Sequence, residues 1–153
     1  MAYQKLQVGT GVKVIPSDTI NVPNVAGPSV SGSATGTTAN KLVDSGAEFS
    51  TNLVGFIVYN TTDSTVAKVT AVDSATQLTL SANIMATGEN YTLYSDTNPG
   101  CVLYSGSGGD IEVLTSSGAS LLFSTVPAGS FLPVQVKRVL ASNTSATNIL
   151  ALW

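Results

Sequence analysis

The sequence contains no histidine and only one cysteine among its 153 residues. Zinc and haem centres need clusters of histidine, cysteine or carboxylate. Serine hydrolase chemistry needs an imidazole to accept the proton of the nucleophile. We therefore predict that the chain is not an enzyme, and that it has no catalytic, cofactor-binding or metal-binding residues.

Charge is also scarce. Charged residues make up 10% of the chain and apolar residues 43%, and the net charge is −3. Serine, threonine, asparagine and glycine take the place of the missing charge. A surface rich in hydroxyls and amides suits burial against protein partners, although an ordinary neutral soluble domain explains the composition equally well.

The scarcity of charge and of long apolar runs excludes several partners. No basic stripe is present to neutralise phosphates, so nucleic-acid binding lacks its main source of affinity. No run of about 18 apolar residues is present, so we expect no membrane span. The segment Met1–Leu6 lacks the apolar stretch of a secretory signal.

The lone Cys101 has no partner for an intrachain disulfide, which fits assembly in a reducing cytoplasm. No imidazole is present to activate its thiol. The sequence therefore predicts a buried structural cysteine.

Strand signals recur at short intervals, whereas helical periodicity is nearly absent. Many short strands separated by turn residues predict an all-β fold, an antiparallel β-sandwich or a small jelly-roll-like barrel. One short helical turn is predicted near 47–52. The candidate strands are 12–15, 56–59, 65–72, 77–80, 91–94, 101–104, 111–114, 120–123, 131–140 and 149–153.

Two domains are predicted. Pro23, Gly27 and Pro28 are expected to break any regular element, and residues 29–38 indicate a linker or an extended crossing segment. The block that follows forms a small antiparallel meander with its own apolar set. We predict a β-domain built from 1–33 and 95–153, with a β-module, 34–94, inserted into it.

The last candidate strand, 149–153, is apolar and ends in tryptophan. Such a strand would promote aggregation if it were left unpaired. We expect it to be an inner strand of the sheet, or to pair with a neighbouring subunit.

Asp110 and Glu112 are the only close pair of carboxylates, and in a strand they share one face. A glycosidase pair across a cleft is the catalytic interpretation, and solvated caps beside turns are the favoured one. Residues 106–110 superficially resemble a phosphate loop. Because a strand rather than a helix follows, we predict a glycine-rich hairpin turn.

Two further sets of residues have a binding interpretation and a structural one. Asp44, Asp63 and Asp73 would bind calcium if they converged, but Asx-turn capping is favoured. Four tyrosines would offer stacking surfaces for a glycan if they were exposed. Because tyrosines at this density in strands are more often buried, we predict that they belong to the core. These tyrosines are Tyr59, Tyr91, Tyr94 and Tyr104.

The most distinctive strings are Leu-Pro-Val-Gln-Val-Lys-Arg-Val at 132–139, Ala-Leu-Trp at 151–153 and Pro-Ser-Asp-Thr at 16–19. Together they resemble a family of small phage proteins, the head spike base proteins of gene transfer agents and tailed phages. The resemblance covers roughly 12–23 and 101–153. The middle block departs from that family and looks like a module repeated in phage structural proteins.

The resemblance implies a non-enzymatic virion protein on the capsid surface, either a head spike base or a decoration (cement) protein, made in the bacterial cytoplasm. Its implied partners are the major capsid protein, further copies of the chain in a trimer or pentamer, and a spike fibre protein. We expect 1–33 plus 95–153 to dock on the capsid, with strand addition through the C-terminal segment. The expected assembly interface is Ile149, Leu150, Leu152 and Trp153. The alternatives are a fibre-attachment adaptor in the tail or baseplate and a carbohydrate-binding module for host recognition.

Overall fold

The computed structural model describes residues 8–153. Within this range the chain forms twelve β-strands and one 3₁₀ turn, Thr51–Leu53, and no α-helix. The strand pairs whose registers are defined in the structure are antiparallel, so the predicted all-β antiparallel class is confirmed. The strands are β1 Gly11–Lys13, β2 Asn24–Ser33, β3 Lys41–Val43, β4 Ile57–Asn60, β5 Thr65–Ser74, β6 Gln77–Leu80, β7 Asn90–Ser95, β8 Cys101–Ser105, β9 Gly109–Thr115, β10 Ser120–Val126, β11 Ser130–Val139 and β12 Ile149–Leu152.

The chain divides into two compact units. The terminal unit comprises the described residues up to Ala26 together with Asn98–Trp153, and the central unit is Gly27–Thr97. The predicted boundaries were 1–33 with 95–153 for the outer domain and 34–94 for the insertion. The first seven residues of that outer domain lie outside the described range. The central unit is longer than predicted because most of β2 belongs to it.

The terminal unit has a six-stranded sheet within the described residues, in the order β1-β12-β8-β11-β9-β10. Alternate residues of β8 are buried, as expected for a strand with one face toward a core. That core is made mainly of branched aliphatic side chains. Its most deeply buried members are Leu103, Ile111, Val113, Val136 and Ala151.

The strand β12 is an inner strand, as one of the two sequence expectations stated. It pairs with β1 on one side, where Val12 faces Ala151. On its other side it pairs with β8, where Ala151 faces Leu103. Both hydrogen-bonding edges of β12 are therefore used within the chain.

The Pro-Ser-Asp-Thr segment joins the beginning of the chain to the end of β11. The Asp18 carboxylate accepts hydrogen bonds from the backbone amide and the hydroxyl of Ser142, at 3.0 and 2.7 Å. Arg138 donates to the backbone carbonyl of Asp18 at 2.9 Å. The amide of Ser17 donates to the carbonyl of Val139 at 2.9 Å. These bonds hold the N-terminal and C-terminal parts of the terminal unit together.

The central unit has a second sheet of six described strands, in the order β2-β7-β4-β5-β6-β3. The strands β4, β5 and β6 form a meander. The predicted continuation of that meander into β7 is wrong, because β7 lies beside β4. The fully buried members of the core beneath this sheet include Leu42, Val58, Ala67, Leu78 and Leu93.

Of the two alternatives predicted for residues 29–38, the linker is wrong for 29–33, which are extended as part of β2. Residues 24–33 form β2, which includes Gly27 and Pro28. Proline lacks a donor for a sheet ladder and is tolerated in an edge strand. Because β2 is the edge of the central sheet, Pro28 does not interrupt it.

Candidate assembly surface

A row of apolar side chains crosses the terminal sheet on the face opposite its core. Leu150 of β12 faces Tyr104 of β8, and Tyr104 faces Phe131 of β11. The rings of Tyr104 and Phe131 are in contact, with centroids 5.2 Å apart. Phe131 is 60% exposed and Leu150 is 38% exposed. The row is therefore a contiguous apolar surface open to solvent.

The neighbouring positions extend this surface. Leu152 of β12 faces Val102 of β8 in register, and both side chains are half-buried. Lys13 of β1 faces Leu150 and places one positive charge at the end of the row. We use the term outer face for Val102, Tyr104, Phe131, Leu150 and Leu152. Contiguous exposed apolar surface of this kind marks interaction sites.

The structure places two of the four predicted interface residues on the outer face, Leu150 and Leu152. Ile149 points the other way and is 2% exposed in the core. Trp153 packs against the same core, and its indole N–H donates to Oδ1 of Asn98 at 3.1 Å. Strand addition through this segment does not fit the fold, since both edges of β12 are already paired.

Sequence reasoning did not assign Val102, Tyr104 or Phe131 to the assembly interface. Each of them lies in a continuous apolar run of a predicted strand, at 101–104 or 131–134. Successive side chains of a strand point to opposite faces, and a continuous apolar run does not say which face meets the core. The cross-strand register supplies that information, and only the folded sheet contains it.

Cys101 is buried in the core of the terminal unit, as predicted. Its thiol donates to the carbonyl of Val136 at 3.2 Å. Burial raises the pKa of the Cys101 thiol to about 11. The thiolate that nucleophilic chemistry requires is therefore strongly disfavoured.

Asp110 and Glu112 hold neighbouring chain segments. Asp110 accepts a hydrogen bond from the amide of Thr125 at 2.7 Å. Glu112 accepts hydrogen bonds from the hydroxyl of Ser120 at 2.8 Å and from the side-chain amide of Asn143 at 2.6 Å. Each carboxylate is thus engaged by the protein itself; both residues are half-buried within β9 rather than solvated caps beside turns.

The glycine-rich stretch between β8 and β9 is not a hairpin turn, because β11 lies between those two strands. Its glycines permit close contact with the segment that precedes β12. A Cβ atom at Gly106 would lie 2.6 Å from the carbonyl of Asn148. At Gly109, where φ is +147°, a Cβ atom would lie 2.7 Å from the amide of Ala146.

The three acidic residues considered for calcium have separate partners. Asp44 caps the amide of Gly46 at 2.9 Å and accepts the Tyr91 hydroxyl at 2.7 Å. Asp73 pairs with Lys41 at 2.7 Å. Asp63 interacts with Glu89. In the described part of the chain, no three acidic, cysteine or histidine side chains form a group that could hold a metal.

The tyrosines divide between core and surface. Tyr59 and Tyr91 are buried, as predicted. Tyr94 is half-buried and packs edge-on against Tyr59, with centroids 5.7 Å apart. Tyr104 is half-buried on the outer face. The core interpretation is thus right for Tyr59 and Tyr91 only.

A comparison of the chain with protein-family models, curated proteins and solved structures finds no match. From Val8 to Trp153, no helix is long and apolar enough to cross a membrane.

Proposed function

We propose that this chain is a non-enzymatic structural protein of a phage virion that docks on the major capsid protein. The observation that carries the proposal is the exposed apolar outer face. All five of its residues lie within 101–153, the C-terminal part of the chain that resembles head spike base proteins. A spike base or a decoration protein needs such a surface to attach to the capsid.

Burial of the outer face supplies the free energy of attachment. Removing a large apolar side chain from water contributes roughly 1.5–3 kcal/mol when burial is complete. Phe131 and Leu150 have the largest exposed fractions of the five side chains. A capsid presents many equivalent sites, so several docked copies that contact one another gain further through avidity.

The proposed partners follow from this attachment. The major capsid protein meets the outer face, further copies of the chain contact one another around the docking site, and a spike fibre protein binds the assembled base. The chain acts on the capsid surface after synthesis in the bacterial cytoplasm.

The experiment compares particle incorporation of two single substitutions. Phe131→Asp introduces a charge into the outer face, and Val54→Asp introduces the same charge at a comparably exposed position of the central unit. We expect particles made with the Phe131 variant to carry less than about a tenth of the protein found in wild-type particles, because burying an unpaired charge costs more than about 1.4 kcal/mol. The Val54 variant should be incorporated normally.

Fractionation of the particles into heads and tails gives the location. Protein in the head fraction supports the proposal, whereas protein in the tail fraction identifies a fibre-attachment adaptor instead. Equal incorporation of both variants contradicts attachment through the outer face.

A further inference from the structure

The two sheets have four edge strands among the described residues, and three of them are protected against pairing with another chain. The edge strands β1 and β3 have three residues each, and each contains a lysine, Lys13 or Lys41. The edge strand β2 contains Pro28. Short strands, lysine and proline are the usual protections of a sheet edge.

The fourth edge strand, β10, is not short and has no lysine or proline, and its pairing with β9 is regular from Ser120 to Phe123, before a shift of register between Phe123 and Val126. It has seven residues, Ser-Leu-Leu-Phe-Ser-Thr-Val, without charge or proline. In the described structure it pairs only with β9. Leu122 is 54% exposed and Leu121 is also exposed. The edge is therefore apolar, neutral and open.

The backbone of Leu122 points to this open edge. Leu122 faces Glu112 of β9 in register. The backbone of Glu112 is already bonded on its other side, because its carbonyl accepts from the amide of Leu140 at 2.9 Å and its amide donates to the hydroxyl of Thr144 at 3.0 Å. Two residues that face each other in an antiparallel pair either exchange both backbone hydrogen bonds or make none with each other. The amide and carbonyl of Leu122 are thus directed away from β9 and are free to bond another strand.

The sequence around Leu122 indicates which strand fits. Ser120-Leu121-Leu122-Phe123-Ser124 reads nearly the same in both directions. An antiparallel pair of two such strands centred on Leu122 places serine against serine and Leu121 against Phe123. The outward-pointing backbone groups of Leu122 then meet their own equivalents, as an antiparallel ladder requires.

We propose that β10 is a self-association edge, at which two copies of this chain join their terminal sheets by antiparallel pairing of β10 with β10. The contact is isologous, so it closes at two copies. No charge lies within either strand. The two Glu112 side chains would be three strand spacings apart, roughly 14 Å, which exceeds the screening length of about 8 Å at physiological salt.

The first experiment uses the purified full chain, without capsids, so that its outcome is independent of the proposed virion function. Sedimentation velocity at increasing protein concentration should show a monomer–dimer equilibrium. Leu122→Lys places like charges directly opposite each other in the pair. We expect it to weaken the dimer by more than about tenfold. Val30→Lys, at an exposed position of the protected edge strand β2, should leave the dimer unchanged.

The second experiment tests the register. Opposed Cα atoms of a hydrogen-bonded antiparallel pair are about 5.5 Å apart, which lies within the range of roughly 4.4–6.8 Å that a disulfide spans. Under oxidation, Leu122→Cys should give a covalent dimer and Val30→Cys should not. Cys101 is buried and does not compete.

A wild-type chain that stays monomeric at every concentration overturns the proposal. So does a dimer that Leu122→Lys leaves intact, or a Leu122→Cys variant that fails to crosslink. The crosslinking assay remains decisive if the lysine variant does not fold.

Discussion

Asp63 and Asp73 both lie in the central unit, but their surroundings act on their carboxyl groups in opposite directions. The Glu89 side chain raises the pKa of Asp63, by a hydrogen bond and by charge repulsion. Gln77, Lys41 and Thr79 stabilise the Asp73 carboxylate and lower its pKa to about 2. One residue therefore destabilises the fold when ionised, and the other stabilises it.

The sign of each effect sets its pH dependence. The pKa of Asp63 is raised in the folded protein above its ordinary value of 3.8. The contribution of Asp63 to folding stability therefore falls as the pH rises above 3.8. At neutral pH, Asp63→Asn should therefore increase the melting temperature. At about pH 3, where Asp63 is mostly protonated in both the folded and the unfolded chain, the increase should largely disappear.

Asp73→Asn is the matched control with the opposite expected sign. A lowered folded-state pKa contributes stability that is present above 3.8 and is lost as the pH falls toward about 2. The variant should melt below the wild type at neutral pH, with a difference that shrinks on acidification. Thermal unfolding of the three proteins across this range checks both signs, and equal shifts for the two variants would contradict the assignment.

The burial of Cys101 gives a second expectation for a single residue. Its thiol is inaccessible, and its raised pKa of about 11 keeps it protonated. We expect negligible reaction with a thiol reagent in the native protein at neutral pH, and one equivalent of reaction in denaturant. Rapid labelling of the native protein would show that the terminal core opens on the timescale of the assay.

Among the elements, β12 allows the sharpest test, because adjacent residues point in opposite directions. Ile149 is in the core, and Ile149→Ala should reduce the free energy of unfolding by about 2–5 kcal/mol. Leu150 lies on the outer face, and Leu150→Ala should change it by less than about 1 kcal/mol. Chemical denaturation of the two variants gives both values, and similar losses would mean that the register of β12 is different.

The sequence predicts strands well where both the pattern and the ends are marked. The predicted strand 77–80 coincides with β6, since its alternation ends at turn residues on each side. Prediction from the sequence fails for β2, because its glycine and proline content is typical of a linker. Only the position of β2 at a sheet edge makes that composition compatible with a strand.

Pro133 illustrates a related limit. It lies inside β11, where the pairing with β8 shifts register between Leu132 and Val136. Beyond that shift, Val136 pairs with Cys101 of β8 and with Thr115 of β9, and the last residues of β11 pair with β9. An irregularity of this kind accommodates a proline and redirects a strand. A single sequence indicates the strand but neither its shift of register nor its partners, so the pairing of Phe131 with Tyr104 of β8 could not be predicted.

At the scale of the whole molecule, the low charge has a consequence for assembly. Only 10% of the residues are charged. Lys13, which faces Leu150, is a charged neighbour of the outer face. If apolar burial dominates docking, added salt has little to screen. We expect the amount of protein retained on particles to be nearly constant between about 0.05 and 0.5 M salt. Release by salt would indicate attachment through charge instead.

The place of β12 inside the sheet, late in the sequence, also determines the order in which the two units can fold during synthesis. Every strand of the central sheet precedes residue 96, so that sheet is complete in the nascent polypeptide while the terminal sheet still lacks its β8–β12 strands. The strand β1 must wait for a partner about 140 positions later, since Gly11 faces Leu152. On the ribosome, the central unit should resist protease first, and β1 should stay susceptible until β12 emerges.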